Sequence, residues 1–201
     1  MNSAPRTPRI GSVSHGTLRA EDLIPTFLDT LERLGGSDAV SAACRDAVFP
    51  SHINMPEGPA PNYGYTWSDA ESPETRAYLE SDDAADDIRQ LVDALNDLAP
   101  AYVYFGTHAG DGSDYGYWPS WDSIEYDAIT VEEYRKDAER YSEGYTGGIL
   151  RVSDLSEIPW SYVGAVLLVN DHGNATCYSR SRASFGSSGD DRHLVELWSC
   201  V

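Results

Sequence analysis

The chain has 201 residues, 33 Asp plus Glu against 14 Lys plus Arg, and a formal net charge of −19. A surface this acidic repels phosphate, which argues against direct binding of nucleic acid or an anionic membrane and leaves basic proteins as the charged partners to expect. A 41% hydrophobic content over this length is enough to bury a core without disulfides or metal.

Residues 1–18 hold Pro5, Pro8, Arg6 and Arg9 without the apolar centre of a secretory signal, and read as a flexible arm ahead of one domain over 19–201. Leu23, Ile24, Phe27, Leu28, Leu31 and Leu34 recur at helical spacing and predict a helix over 19–34, stopped by Gly35-Gly36. Ser37 caps a second predicted helix that runs to Phe49, before Pro50. Residues 50–68, with Pro50, Pro56, Pro59, Pro61, Gly58 and Gly64, predict a loop. A helix over 81–98 follows, with Ile88, Leu91, Val92, Leu95 and Leu98 on one face and Pro100 as its end.

Aromatic and β-branched segments at 101–105 and 115–118 predict paired strands across a Gly- and Asp-rich loop over 106–114. A helix over 131–141 comes next. Strands over 163–169, 175–181 and 193–201 close the chain, with a turn at 170–174 and a Gly/Ser loop over 183–191. The expected class is α+β, N-terminal helices packed on a mostly antiparallel C-terminal sheet. No apolar run approaches the ~18 residues of a membrane span. Cys44, Cys177 and Cys200 form no C-x-x-C pair and read as buried free thiols, so a cytoplasmic protein is expected. Oligomeric state is not legible.

The acids are concentrated in two regions, net −8 over 69–97 and net −7 over 111–143. On the helix over 81–98, a 100° wheel places Asp82, Asp83, Asp86, Asp93 and Asp97 opposite the apolar stripe. The row is about 22 Å long at ~1.5 Å rise per residue. At ~3.4 Å per phosphate along one strand of B-DNA, it spans about six phosphates, as a mimic of DNA would. An acid-rich proteome, as in salt-adapted organisms, also produces such faces, and one Lys against 13 Arg and 20 Asp fits that bias. Asp111 and Asp114, with Tyr115, Tyr117 and Trp118, extend the expected partner surface, because aromatics ringed by carboxylates suit an Arg-rich partner. Such aromatics also commonly fill the groove between sheet and helix.

Catalytic motifs are thin. His108, Asp111, Asp114 and His172 would bind a metal if their loops converged, but Asp-Gly and His-Gly-Asn are equally turn chemistry. Gly186-Ser-Ser-Gly189 falls one residue short of a nucleophile elbow, and no phosphate-cradling glycine loop is present. No cofactor is expected.

Three stretches, SHGTLRAEDLIPTFL over 14–28, YFGTHAGDGSDYGYW over 104–118 and VLLVNDHGNAT over 166–176, resemble small accessory proteins carried by phages and plasmids of high-GC bacteria, a group without an assigned reaction. The resemblance implies a mobile-element setting, in which acidic proteins often inhibit host defence. The expected function is therefore that of a non-enzymatic, DNA-mimic-like inhibitor of a basic nucleic-acid-handling protein. The alternatives are a small metal-dependent enzyme using those His and Asp residues, an immunity protein against a basic toxin, and an interaction module of a salt-adapted cell.

Overall fold

The computed structural model describes residues 7–35, 53–54, 66–67, 72–140, 148–181 and 194–200. The helix predicted over 37–49, Cys44, most of the loop over 50–68 and the loop over 183–191 lie outside them. The chain is α+β and divides into two compact units, residues 1–99 with 103–118, and residues 100–102 with 119–201.

The first unit contains strands β1 (Gly11–Ser14), β4 (Val103–His108) and β5 (Asp111–Pro119) in the order β1-β5-β4. Its helices are α1 (Ala20–Arg33), α2 (Pro73–Leu79) and α3 (Asp82–Asn96). A two-residue ladder pairs β2 (Ile53–Asn54) with β3 (Thr66–Trp67). Leu23, Ile24, Phe27, Leu28 and Leu31 of α1 and Leu91 and Leu95 of α3 are buried with Phe105 and Tyr117, as the helical spacing requires. Pro25 lies inside α1 and brings no N–H to the Glu21 carbonyl one turn back. The Trp67 indole Nε1 donates to that oxygen instead, at 2.8 Å.

Residues 11–14, assigned from sequence to the arm, are strand β1, paired antiparallel to β5 with a bulge between Ser12 and Ser14. A Cβ at Gly116 would sit 2.2 Å from the Gly11 carbonyl oxygen, so only glycine allows β1 this close. The loop expected over 106–114 is mostly strand. Here Asp111 accepts from the Ser113 amide (2.9 Å) and hydroxyl (2.7 Å), and β5 runs on from this local turn.

The second unit contains α4 (Trp121–Asp127), β6 (Ala128–Ile129), α5 (Val131–Arg140), β7 (Ile149–Val152), a 3₁₀ turn (Leu155–Glu157), β8 (Gly164–Val169), β9 (Ala175–Arg180) and β10 (Leu194–Cys200). The sheet order is β10-β9-β8-β7-β6. It is antiparallel from β8 to β10 but parallel from β6 to β8, because α5 carries the chain back between β6 and β7. Within the first unit, the N-terminal helices pack on the small β1-β5-β4 sheet. Tyr134, Leu150, Val152, Ile158, Tyr162 and Val166 form a core beside α5. Thr130 and Glu133 cap α5 reciprocally, the Thr130 amide donating to Glu133 Oε2 (2.8 Å) and the Glu133 amide to Thr130 Oγ1 (3.2 Å). Among the described residues, no helix is long and apolar enough to cross a membrane.

Candidate functional site

Ser81 caps α3 by accepting the Ala84 amide, and Asp82 and Asp83 occupy the first turn, where the helix dipole favours negative charge. Asp82, Asp83, Asp86, Asp93 and Asp97 are all exposed, on the side the wheel predicts. Asp86 pairs with Arg89, one turn along. The other end of α3 is different. Asp93 and Asp97 lie at a helix C-terminus with no basic residue in the last turn, where each negative charge costs roughly 0.3–1 kcal/mol. The row is therefore placed against local stability at one end.

Asp87, on the same helix, is turned inward. Its carboxylate accepts the Tyr78 hydroxyl at 2.7 Å, and burial raises its pKa, opposed by the Tyr78 hydrogen bond and helped by the charge of Asp83. Burial and the same contact raise Tyr78 as well. A carboxyl with a raised folded-state pKa favours the fold when protonated, and that contribution is lost as pH rises through the raised pKa. Asp87→Asn keeps an acceptor for Tyr78 and removes the buried charge. It is expected to be more stable than the parent at neutral pH and to converge with it in acid, which urea unfolding at the two pH values checks.

The β4–β5 hairpin departs from the sequence expectation. Asp111 is exposed, but Asp114 is buried, accepting from Ser12 Oγ at 2.9 Å and lying 3.4 Å from His15 Nδ1. Tyr117 is buried, its hydroxyl donating to the Leu95 carbonyl at 2.9 Å. Tyr115 packs edge-on to Phe27 at 5.3 Å. Trp118 is half-buried, with Nε1 donating to the Gly106 carbonyl at 3.1 Å and its ring against His108. Tyr115, Tyr117 and Asp114 are thus committed to the fold and do not form an exposed patch. The reason is register: alternate residues of β5 face α1, and Tyr115 and Tyr117 share that face.

The four residues weighed as metal ligands divide between the two units. His108 Nδ1 accepts the Gly110 amide (3.1 Å), Asp111 closes its own turn, Asp114 faces Ser12 and His15, and His172 belongs to the β8–β9 turn of the second unit. Among the described residues, no group of three or more His, Cys, Asp and Glu is arranged to hold a metal. Sequence reasoning missed His15, which sits beside Asp114 across 99 positions of chain; the β1–β5 pairing that brings them together had no signature in a Gly-Ser-Val-Ser segment. Among the described residues, the buried Asp114 Oδ1 has no hydrogen-bond partner. Burial pushes the Cys177 thiol up to about 12, which keeps it protonated and unreactive, and raises Cys200 as well.

Comparison with protein families, with characterised proteins and with solved structures finds no match for this chain.

Proposed function

We propose that this chain is a cytoplasmic binding protein, not an enzyme, that presents the acidic face of α3 to the nucleic-acid-binding surface of a basic host defence protein and blocks it. The observation that carries this reading is the exposed row Asp82, Asp83, Asp86, Asp93 and Asp97, which ends in two negative charges at a helix C-terminus whose last turn has no base. Ordinary solvation of a helix needs no charge there, whereas a surface shaped to meet arginines and lysines does. Asp111 is exposed and remains available to the same partner, while Asp114, Tyr115 and Tyr117 drop out of the interface. An immunity protein against a basic toxin would use the same face.

The test is inhibition of DNA cleavage by a panel of restriction and RNA-guided nucleases, with the parent and with the triple variant Asp86→Lys, Asp93→Lys, Asp97→Lys. The parent is expected to block at least one nuclease in a salt-sensitive manner, and the variant to be weaker by about a hundredfold, because like charges then meet across the interface. The variant should also unfold at slightly higher urea, since lysines at 93 and 97 suit the last helical turn and outweigh the loss of the exposed Asp86–Arg89 pair. Loss of inhibition with gain of stability separates an interface from damage to the fold. Equal inhibition by the variant, or no inhibition of any nuclease by the parent, overturns the reading.

A further inference from the structure

A second feature lies in the other unit and is independent of the acidic row. Strands β6, β7 and β8 are parallel neighbours, so their carboxyl ends come to one edge of the sheet. A cavity of about 780 Å³ opens there, lined by Thr130 to Glu132, Arg151 to Ser153, Glu157, and Val169 to Asp171. The crevice beyond the carboxyl ends of parallel strands is where α/β sheets bind ligands, because the chain must leave the sheet there and the loops surround a concavity.

Four charged residues line this crevice, and the carboxylates of Glu132 and Glu157 are already engaged by near neighbours in the chain. Glu132 pairs with Lys136 at 2.8 Å. Glu157 accepts the Ser153 hydroxyl at 2.6 Å and its amide at 3.3 Å. Asp171 Oδ1 lies 3.6 Å from His172 Nε2. Arg151, exposed on β7, has no partner among the described residues, although three carboxylates line the same cavity. The α5 amides of Glu133 and Tyr134 are taken by Thr130 Oγ1 (3.2 Å) and the Thr130 carbonyl (3.0 Å). Those of Val131 and Glu132, both lining residues, have no acceptor among the described residues. The donors left over are therefore a guanidinium and two backbone N–H groups, and no lining carboxylate has been drawn to them.

We propose that this crevice binds a small ligand through an oxyanion, phosphate or carboxylate, held by Arg151. A guanidinium offers paired donors that match either group, and Asn170 lines the crevice around the remainder of such a ligand.

The experiment is a titration of the full chain with inorganic phosphate and, separately, with acetate at constant ionic strength, followed by the amide resonances of Val131 and Glu132. Saturable shifts with a dissociation constant of about 1–10 mM are expected for at least one ion, the range for one ion pair with a few hydrogen bonds. Stronger binding of phosphate assigns a phosphorylated ligand, and stronger binding of acetate a carboxylic acid. Arg151→Gln is expected to weaken binding about tenfold or more, whereas Arg135→Gln, on α5 outside the crevice, leaves it unchanged. Absence of saturation by roughly 100 mM of either ion, or equal binding by Arg151→Gln, overturns the proposal.

Discussion

Phe27→Ala is expected to destabilise the first unit by about 3–5 kcal/mol, the cost of truncating a buried aromatic that its surroundings cannot replace. Phe27 is fully buried on α1, and its ring meets Phe105 of β4 edge-on at 5.2 Å and Tyr115 of β5 at 5.3 Å. Phe105 in turn packs on Tyr117 at 4.9 Å. One side chain thus joins the helix layer to two strands, and removing it leaves a void bordered by stiff rings that have few alternative rotamers. Phe27→Leu keeps most of the apolar volume and is expected to lose less than half as much. Urea unfolding gives the midpoints, and hydrogen exchange at the Leu31 and Leu91 amides localises the effect. Equal midpoints for parent and Phe27→Ala would mean that α1 is not packed on this sheet.

The acidic row depends on that packing. α3 presents Asp82, Asp83, Asp86, Asp93 and Asp97 outward because Leu91 and Leu95 face inward to α1 and the sheet. This arrangement is legible in the sequence alone, since a 3.6-residue period ties the two faces together, Ser81 marks the start of the helix and Pro100 its end. The same wheel leaves Asp87 off the row, and it is the acid of α3 that the fold buries. Strand faces are harder to read. Alternation places Tyr115 and Tyr117 together but does not say which side of β5 meets the helices, and two aromatic residues suit either. The Gly and Asp residues of 106–114 read as a loop, yet Gly106 and Gly112 lie in strands, and only Ala109 and Gly110 separate β4 from β5.

The second unit is the less legible of the two. β6 is two residues long and β7 four, both below the length at which hydrophobic periodicity carries information, and the glycines at 147 and 148 mask the start of β7. Without these strands the parallel half of the sheet is hidden, and with it the crevice at its carboxyl edge. Arg151 reads as an isolated surface base, because its significance comes from which acids are occupied nearby, a property of the folded loops alone.

One hydroxyl reinforces the β7–β8 ladder of the parallel half of the sheet, and Tyr162→Phe is the variant that exposes this. Tyr162 is 2% exposed. Its hydroxyl lies 2.6 Å from the Ala165 carbonyl and 3.3 Å from that of Gly148, and accepts the Leu150 amide at 3.2 Å. It therefore links β7 to the start of β8 at their amino ends, while its ring packs edge-on to Tyr134 of α5 at 5.2 Å. Phenylalanine preserves the ring contact and deletes only the oxygen, removing its hydrogen bonds to the Leu150 amide and the Ala165 carbonyl. The expected loss is about 2–3 kcal/mol, the net worth of two hydrogen bonds made to buried backbone groups. Gly164, at φ +142° with its missing Cβ 3.1 Å from the Tyr162 oxygen, is the backbone concession that lets the hydroxyl reach this position. Tyr134→Phe removes a hydroxyl that, among the described residues, reaches only the Ser161 side chain at 2.9 Å, and is expected to lose less than about 1.5 kcal/mol. If the two variants unfold at the same urea concentration, the Tyr162 hydroxyl is not the group that joins β7 to β8.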